Sequence, residues 1–150
     1  MKAVAYLRNL PISDPESLVD VDLPDPVPAG RDLLIRVAAV SVNPVDTKRR
    51  IAADALVKPP RVLGFDGAGT VEAVGPACTL FRPGDAVYWA GDVGRQGSNS
   101  QLQLVDERIA GRKPRTMDFA QAAAIPLTAI TAYEAFFDRM RIDRNGREAG

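Results

Sequence analysis

The first part of the chain alternates apolar and polar positions with the two-residue period of β-strands. The segments "MKAVAYL" and "LVDVDLP" flank a turn-rich stretch and predict an opening antiparallel pair. The proline-rich "PDPVPAGRD" predicts an extended connector that ends in a glycine turn, because proline cannot donate to a sheet ladder. The most apolar segment runs from Leu33 to Val42 and predicts a strand buried on both faces, with one face formed by Leu33, Ile35, Val37 and Ala39.

A short helix and three more strands follow. Asn43-Pro44 predicts a helix to about Ala52, because Asn caps helices and Pro fits their first position. "GAGTVEAVG", "GDAVYWA" and "SQLQLVD" are strand candidates separated by turns. Regular strand spacing without long intervening helices favours an antiparallel barrel or sandwich over a doubly wound sheet. The predicted fold class is therefore mainly β with short helices.

The last third of the chain has a helical pattern. Asp118 and Gln121 have the spacing of a capping box, and Pro126 is suited to begin a second helix over "PLTAITAYEAFFDRM". Apolar residues recur at helical spacing and predict a stripe that faces the core: Ile125, Ala129, Ala132, Phe136 and Met140. The polar tail contains Asn145-Gly146, which predicts a turn.

The glycines of "VLGFDGAGTVEAVG" raise the question of a dinucleotide-binding loop. Gly67 and Gly69 fit the first two glycines of the fingerprint G-x-G-x-x-G, but Glu72 occupies the position of its third glycine. An alternating, β-branched sequence follows where the fingerprint requires a helix. The stretch is therefore predicted to be a strand and not a phosphate-binding loop.

Composition excludes several functional classes. The 150 residues fit one domain, and 19 basic against 19 acidic residues give no indication of nucleic-acid binding. No apolar run is long enough to cross a membrane. With Cys78 as its single cysteine, the chain cannot form an internal disulfide, which suits a reducing cytoplasm.

The absence of histidine restricts the chemistry further. Ser-His-Asp and Cys-His catalysis cannot be built from this chain alone. A zinc site would have to combine Cys78 with carboxylates, so no metal site is predicted. Cys78 itself is expected to be a thiol without chemistry.

Four motifs together resemble one enzyme superfamily. "VSVNPVDTKRR", "LGFDGAGTVEAVG", "FRPGDAVY" and "AAAIPLTAITAYEAF" occur in the order and spacing of the medium-chain dehydrogenases/reductases, and the resemblance runs from Met1 to about Met140. It is closest to the zinc-independent branch that includes NAD(P)H:quinone oxidoreductases. The resemblance implies a GroES-like, partly open β-barrel in which Gly64 to Gly75 form a turn and a strand.

Differences from the zinc-containing members imply a metal-free reductase. Where those members carry a cysteine, this chain has Asn43-Pro44-Val45-Asp46, and Gly64-Phe65-Asp66 replaces their Gly-His-Glu. The four-cysteine structural lobe is also missing, since residues 95–100 read "RQGSNS".

Family members continue into a Rossmann domain, so the resemblance implies a piece of a longer enzyme. Residues 1–125 would form the catalytic domain, and residues 126–150 would lead to a nucleotide-binding domain. The full-length enzyme would use NADPH or NADH and form a homodimer. The 150-residue chain would be monomeric, would bind neither cofactor and would be inactive alone.

The candidate site residues are assigned from the resemblance, and each has a structural alternative. Asn43, Asp46 and Lys48 are the catalytic candidates, and Asn43, Thr47 and Thr128 are the cofactor-binding candidates. The alternatives are a helix cap for Asn43, a solvated turn for Asp46, Thr47 and Lys48, and a hydroxyl bonded to its own helix for Thr128.

The predicted substrate pocket contains Phe65, Asp66 and Trp89, with core packing as the alternative for Phe65. The implied reaction is hydride transfer to a small quinone, enone or aldehyde. A free-standing GroES-like module for binding or oligomerisation is the competing hypothesis.

Overall fold

A computed structural model describes residues 1–51 and 58–144, which form two open antiparallel sheets. The smaller sheet has the order β2-β1-β4, and the larger has the order β7-β3-β5-β6-β8. The strands are β1 (Lys2–Tyr6), β2 (Val19–Asp22), β3 (Asp32–Ser41), β4 (Arg61–Val62), β5 (Asp66–Val74), β6 (Ala86–Ala90), β7 (Leu102–Asp106) and β8 (Ala110–Arg112). This mainly-β architecture confirms the predicted fold class, and the opening β1–β2 pair is antiparallel as expected.

The helical segments are short. They are α1 (Pro44–Ile51), α2 (Phe119–Ala123), α3 (Pro126–Tyr133), a 3₁₀ turn (Glu107–Ile109) and a π-helical segment (Glu134–Arg139). The predicted capping box opens α2: the Asp118 carboxylate accepts the Gln121 backbone N–H at 2.7 Å, and the Gln121 side chain accepts the Asp118 N–H at 3.1 Å. Helix α1 begins at Pro44 as predicted. Its predicted end at Ala52 and the predicted turn at Asn145-Gly146 lie outside the described residues. No described helix combines the length and apolar character needed to cross a membrane.

Strand β3 lies inside the larger sheet. It pairs with β5 on one side and β7 on the other, and its first half contributes Leu33 and Ile35 to the main core. Trp89 of β6 completes that core, and its indole N–H donates to the Gln103 side chain at 3.0 Å. The indole is therefore buried without leaving its donor unsatisfied.

The prediction that β3 is buried on both faces is wrong. Arg36, Ala38 and Val40 are exposed, so the strand is not covered on both sides along its length. The pairing with β5 also shifts register between Val37 and Ala39. This irregularity moves Ala39 to the opposite face, where it packs beside Ala68 and helix α2 instead of continuing the row of Leu33 and Ile35.

The glycines of β5 permit close packing. A Cβ at Gly67 would meet the Trp89 ring, and a Cβ at Gly69 would meet the backbone carbonyl oxygen of Arg36. Both glycines lie inside a strand, which confirms that the stretch is not the glycine turn of a dinucleotide-binding fold.

The predicted core-facing stripe of the last helix is wrong. Ala129, Ala132, Phe136 and Met140 are all exposed. Helix α3 contacts the sheets through its first turn, where Pro126 is buried, and then extends beyond them. Helical spacing identified an apolar face correctly, but the described residues supply no surface that covers it.

A buried carboxylate stabilises the end of the sheet where β3 begins. Glu107 accepts the backbone N–H groups of Thr79 and Leu80 at 2.8 Å each and pairs with Arg31 at 2.6 Å. Burial raises the pKa of Glu107, but the N–H groups of Leu80 and Thr79 and the charge of Arg31 outweigh it, so the pKa lies below its ordinary value. The interaction fixes the loop after β5 to the end of β7.

We predict that Gly69→Ala destabilises the fold. The added methyl group would collide with the Arg36 carbonyl in the neighbouring strand, and overpacking of this kind costs about 1–3 kcal/mol. Gly91→Ala is the matched control, since the nearest atoms would lie at an ordinary contact distance of 3.6 Å. Denaturant unfolding of the two variants tests the prediction, and equal stabilities would contradict it.

Candidate functional site

The candidate site lies where β3 ends, β5 begins and α3 begins. Register positions Ser41 of β3 opposite Asp66 of β5, so Asn43, two residues further along, lies beside Asp66. The Asn43 side-chain amide donates to one Asp66 carboxylate oxygen at 2.8 Å. Both side chains are buried. The strand pairing therefore determines the contact between two residues that are 23 positions apart in sequence.

The second oxygen of Asp66 binds helix α3. It accepts the backbone N–H of Leu127, the second residue of the helix, at 2.8 Å. N–H groups in the first turn of a helix have no partner within the helix, and a negative charge there also interacts favourably with the helix dipole. Asp66 thus caps α3 from a different element. We call Asn43, Asp66 and Leu127 the Asp66 network.

The environment of Asp66 raises its pKa above the ordinary value. Burial is the main cause, and the nearby Asp46 carboxylate acts in the same direction. The hydrogen bonds from Asn43 and Leu127 lower the pKa but do not offset the loss of hydration.

Asp46 holds the backbone around the network. One of its carboxylate oxygens accepts the Asn43 N–H at 2.8 Å, and the other accepts the Gly64 N–H at 2.9 Å. The first bond gives the Asn43 N–H, just before α1, an acceptor three residues later, as one half of a capping box does. The second holds the turn before β5, where Gly64 has a φ of +107° and packs against Ser98. Asp46 therefore joins α1 to β5 through backbone contacts.

The remaining catalytic and cofactor candidates are exposed. The Thr47 hydroxyl donates to the Pro44 carbonyl at 2.9 Å, and Lys48 projects from the same helix. The Thr128 hydroxyl donates to the Ile125 carbonyl at 2.9 Å, which is the bond back to its own helix that the sequence left open as an alternative. The Thr128 oxygen keeps its capacity to accept a hydrogen bond from a ligand.

The predicted pocket residues Phe65 and Trp89 are buried in the core. Phe65 packs with Tyr6 and Leu63, in contact with Leu127, while Trp89 belongs to the main cluster. The structure thus brings Asn43, Asp46 and Asp66 together and connects them to the helix of Thr128. A direct role for Phe65 or Trp89 with a substrate stays a prediction.

An open groove of about 1000 Å³ lies between β6, β8 and α3. Its apolar walls include Tyr88, Trp89, Ile109, Ile125, Ala129 and Ile130. Ile109 was not found by sequence reasoning, because its isolated position after β7 carries no motif. The groove is lined by Trp89 and by Ile125 and Ala129, which belong to the face of α3 that the sequence predicted to be core.

The donor set does not fit a zinc ion. Among residues 1–51 and 58–144, no group of three or more His, Cys, Asp or Glu side chains could hold a metal. Both oxygens of Asp46 and both of Asp66 already accept N–H groups. Cys78 lies near the other end of β3, where its thiol contacts the Asp32 carbonyl at 3.3 Å and burial raises its pKa. A zinc ion at Asp46 or Asp66 would compete with these hydrogen bonds.

Comparison with known proteins reveals close relatives. Residues 29–129 match the model of the alcohol dehydrogenase GroES-like domain. A zinc-type alcohol dehydrogenase-like protein of Staphylococcus aureus is 44% identical over 148 residues, which are 99% of this chain and 44% of the relative. The chain therefore spans less than half the length of this relative.

Solved structures of similar fold include alcohol dehydrogenases and quinone oxidoreductases. A proposed zinc-dependent alcohol dehydrogenase of Rhizobium etli has a TM-score of 0.92 and 55% identity, and the match covers 100% of this chain and 43% of that one. The quinone oxidoreductase of Coxiella burnetii has a TM-score of 0.82 and 27% identity, covering 95% and 46% respectively. The words zinc-type and zinc-dependent in two of these names describe those proteins.

We predict that Asn43→Asp lowers stability by about 1–3 kcal/mol, because it removes the donor to buried Asp66 and places a second carboxylate against it. The raised pKa of Asp66 gives the sign of the pH dependence. The loss of stability should be small at acidic pH, where the carboxyl groups at positions 43 and 66 share a proton. It should grow as the pH rises and both carboxyl groups ionise.

Asn99→Asp is the matched control, because within the described residues Asn99 makes only backbone hydrogen bonds. Thermal unfolding of both variants from pH 4 to pH 8 checks the prediction. A loss that is independent of pH, or equal in the control, would contradict it.

Proposed function

Because the chain belongs to the family of alcohol dehydrogenase GroES-like domains in the medium-chain dehydrogenase/reductase superfamily, we propose that it is the catalytic domain of an oxidoreductase. The proposed reaction is the metal-free, nicotinamide-dependent reduction of a small quinone, enone or aldehyde. We assign residues 1–125 to this domain and residues 126–150 to the connection with a nucleotide-binding domain. The lengths of the relatives support this division, since they are more than twice as long as the matched region.

The observation that carries the proposal is the fixed orientation of the Asn43 amide. One N–H of the amide is held by Asp66, and the described residues take up neither the second N–H nor the carbonyl oxygen. A buried amide with one donor and one acceptor left is suited to orient a flat ligand that contains a carboxamide or carbonyl group.

A nicotinamide, when bound, would supply the hydride. The chain supplies orientation: Asn43 hydrogen-bonds the ring amide or the substrate carbonyl, and Thr47 and Thr128 offer hydroxyl oxygens on the flanking helices. Lys48 is the exposed cation that donates the proton to the reduced oxygen. Asp46 is given a backbone-holding role, because both of its oxygens accept backbone N–H groups. Phe65 and Trp89 are proposed as the apolar wall of the substrate pocket.

The fit to the cofactor is partial. Asp66 already occupies the start of α3, where its negative charge would repel a pyrophosphate group. We therefore propose that the phosphate contacts come from residues beyond those described. We propose that the 150-residue chain alone binds neither NADPH nor NADH and is inactive. The complete enzyme would act as a homodimer in the cytoplasm.

We predict that the purified protein holds no stoichiometric zinc, on the basis of the occupied carboxylates and the absence of histidine. Elemental analysis after dialysis without chelator tests this. About one tightly bound zinc per chain would contradict it.

We predict that Asn43→Ala lowers kcat/KM for NADPH-dependent quinone reduction by about tenfold, because it removes a hydrogen bond to the ligand. The assay uses the protein at the full length that its source encodes, and Asn99→Ala serves as the control for an exchange outside the network. Unchanged kcat/KM in Asn43→Ala would remove Asn43 from the site. An inactive wild-type protein would favour the alternative of a binding or oligomerisation module.

A further inference from the structure

We propose that Asp66 is a positioning residue, which holds Asn43 and the first turn of α3, and with it Thr128, in the geometry that the reaction requires. This inference rests on the proposed function. Its basis is a single carboxylate that accepts one hydrogen bond from each side, from the Asn43 amide and from the Leu127 backbone, at 2.8 Å each.

Asp66 acts through its neighbours, because it cannot reach a ligand itself. Its side chain is fully buried, with 0% of the residue exposed, and the two N–H groups occupy one oxygen each. A substrate or cofactor could reach it only after one of these bonds breaks. Its influence on a bound ligand therefore passes through the Asn43 amide and through Thr128, which directly follows Leu127.

With Asn43 in its observed orientation, position 66 requires an acid. Two donors converge on residue 66, and an ionised carboxylate is the small side chain that presents two acceptors and no donor. An asparagine at this position has one acceptor and one donor group. If its oxygen accepts the Leu127 N–H, its NH₂ group faces Asn43, whose amide must turn over to present its carbonyl oxygen.

Asp66→Asn is therefore a substitution that keeps both hydrogen bonds but reverses the Asn43 amide. A purely structural role of Asp66 would be largely preserved in this variant. A positioning role would be lost, because the reversed Asn43 amide would present a donor at the place where the ligand meets its acceptor in the wild type. It would likewise present an acceptor where the ligand meets its donor.

The matched control is Glu107→Gln. Glu107 is also a fully buried acid that accepts two backbone N–H groups, but it lies at the opposite end of β3 and contacts no candidate site residue. Its replacement reports the general cost of converting a buried acid to its amide.

The experiment measures kcat and KM for nicotinamide-dependent quinone reduction in the full-length protein. We expect Asp66→Asn to lower kcat/KM by about tenfold or more, and Glu107→Gln to stay within about twofold. In the Asn43→Ala background, Asp66→Asn should cost less than it does in the wild type, because part of its effect passes through Asn43. Wild-type kcat/KM in Asp66→Asn, or an equal loss in Glu107→Gln, would overturn the proposal.

Two further measurements separate this proposal from the proposed function. The NMR signals of the Asn43 side-chain amide should move in Asp66→Asn and stay in place in Glu107→Gln, whether or not the protein turns over a quinone. Unmoved signals would overturn the positioning role. Moved signals in a protein that does not reduce quinones would contradict the proposed function, while the contact between Asp66 and Asn43 would still hold.

If Asp66→Asn fails to fold, the exchange Asn43→Asp/Asp66→Asn carries the same test. This double variant restores a carboxylate–amide pair with the donor and acceptor interchanged. We expect it to fold and to lose kcat/KM as Asp66→Asn would, and full activity would overturn the proposal.

Discussion

Burial of the Asp66 carboxylate is tolerable only because two N–H groups from distant segments point at it. An ionised group removed from water costs several kcal/mol unless hydrogen bonds replace its hydration. Here the replacements come from Asn43, 23 residues earlier, and Leu127, 61 residues later. The end of β3, the start of β5 and the start of α3 must therefore meet at one point. The placement of every candidate residue on α1 and α3 follows from that meeting.

The two ends of β3 show opposite solutions to the burial of an acid. At its start, Glu107 faces two backbone N–H groups and the Arg31 cation, and the pKa of Glu107 is lowered. At its end, Asp66 faces neutral donors and a second carboxylate, and burial raises its pKa. The first arrangement favours the charged form and contributes to stability. The second retains a cost, because desolvation outweighs the two hydrogen bonds to Asp66.

The sequence was sufficient to predict local structure. The β1–β2 pair, the start of α1 at Pro44 and the capping box of α2 follow from local patterns, and the structure confirms each. The Asn43 side chain, a candidate helix cap, donates to Asp66 instead. The GroES-like fold was predicted by resemblance of the linked motifs. Asn43, Asp46 and Asp66 were named as separate candidates from the same motifs.

The remaining features depend on tertiary contacts that local patterns do not encode. The Asn43–Asp66 bond depends on the register of two paired strands, and no spacing within the sequence reveals that register. The irregularity near Ala39 reverses the face of the strand, so strict alternation assigned Ala39 to the wrong side. The apolar stripe of α3 was read as core because periodicity identifies an apolar face but not what covers it.

The most direct test of the account is hydrogen exchange at the backbone amide of Leu127. As the second residue of α3, Leu127 has no partner within the helix, so its amide should exchange rapidly unless Asp66 accepts it. We expect the wild-type Leu127 amide to exchange as slowly as that of Ala129, which is bonded to the Ile125 carbonyl, and Asp66→Ala to abolish the protection of Leu127. Rapid exchange of Leu127 in the wild-type protein would contradict the account.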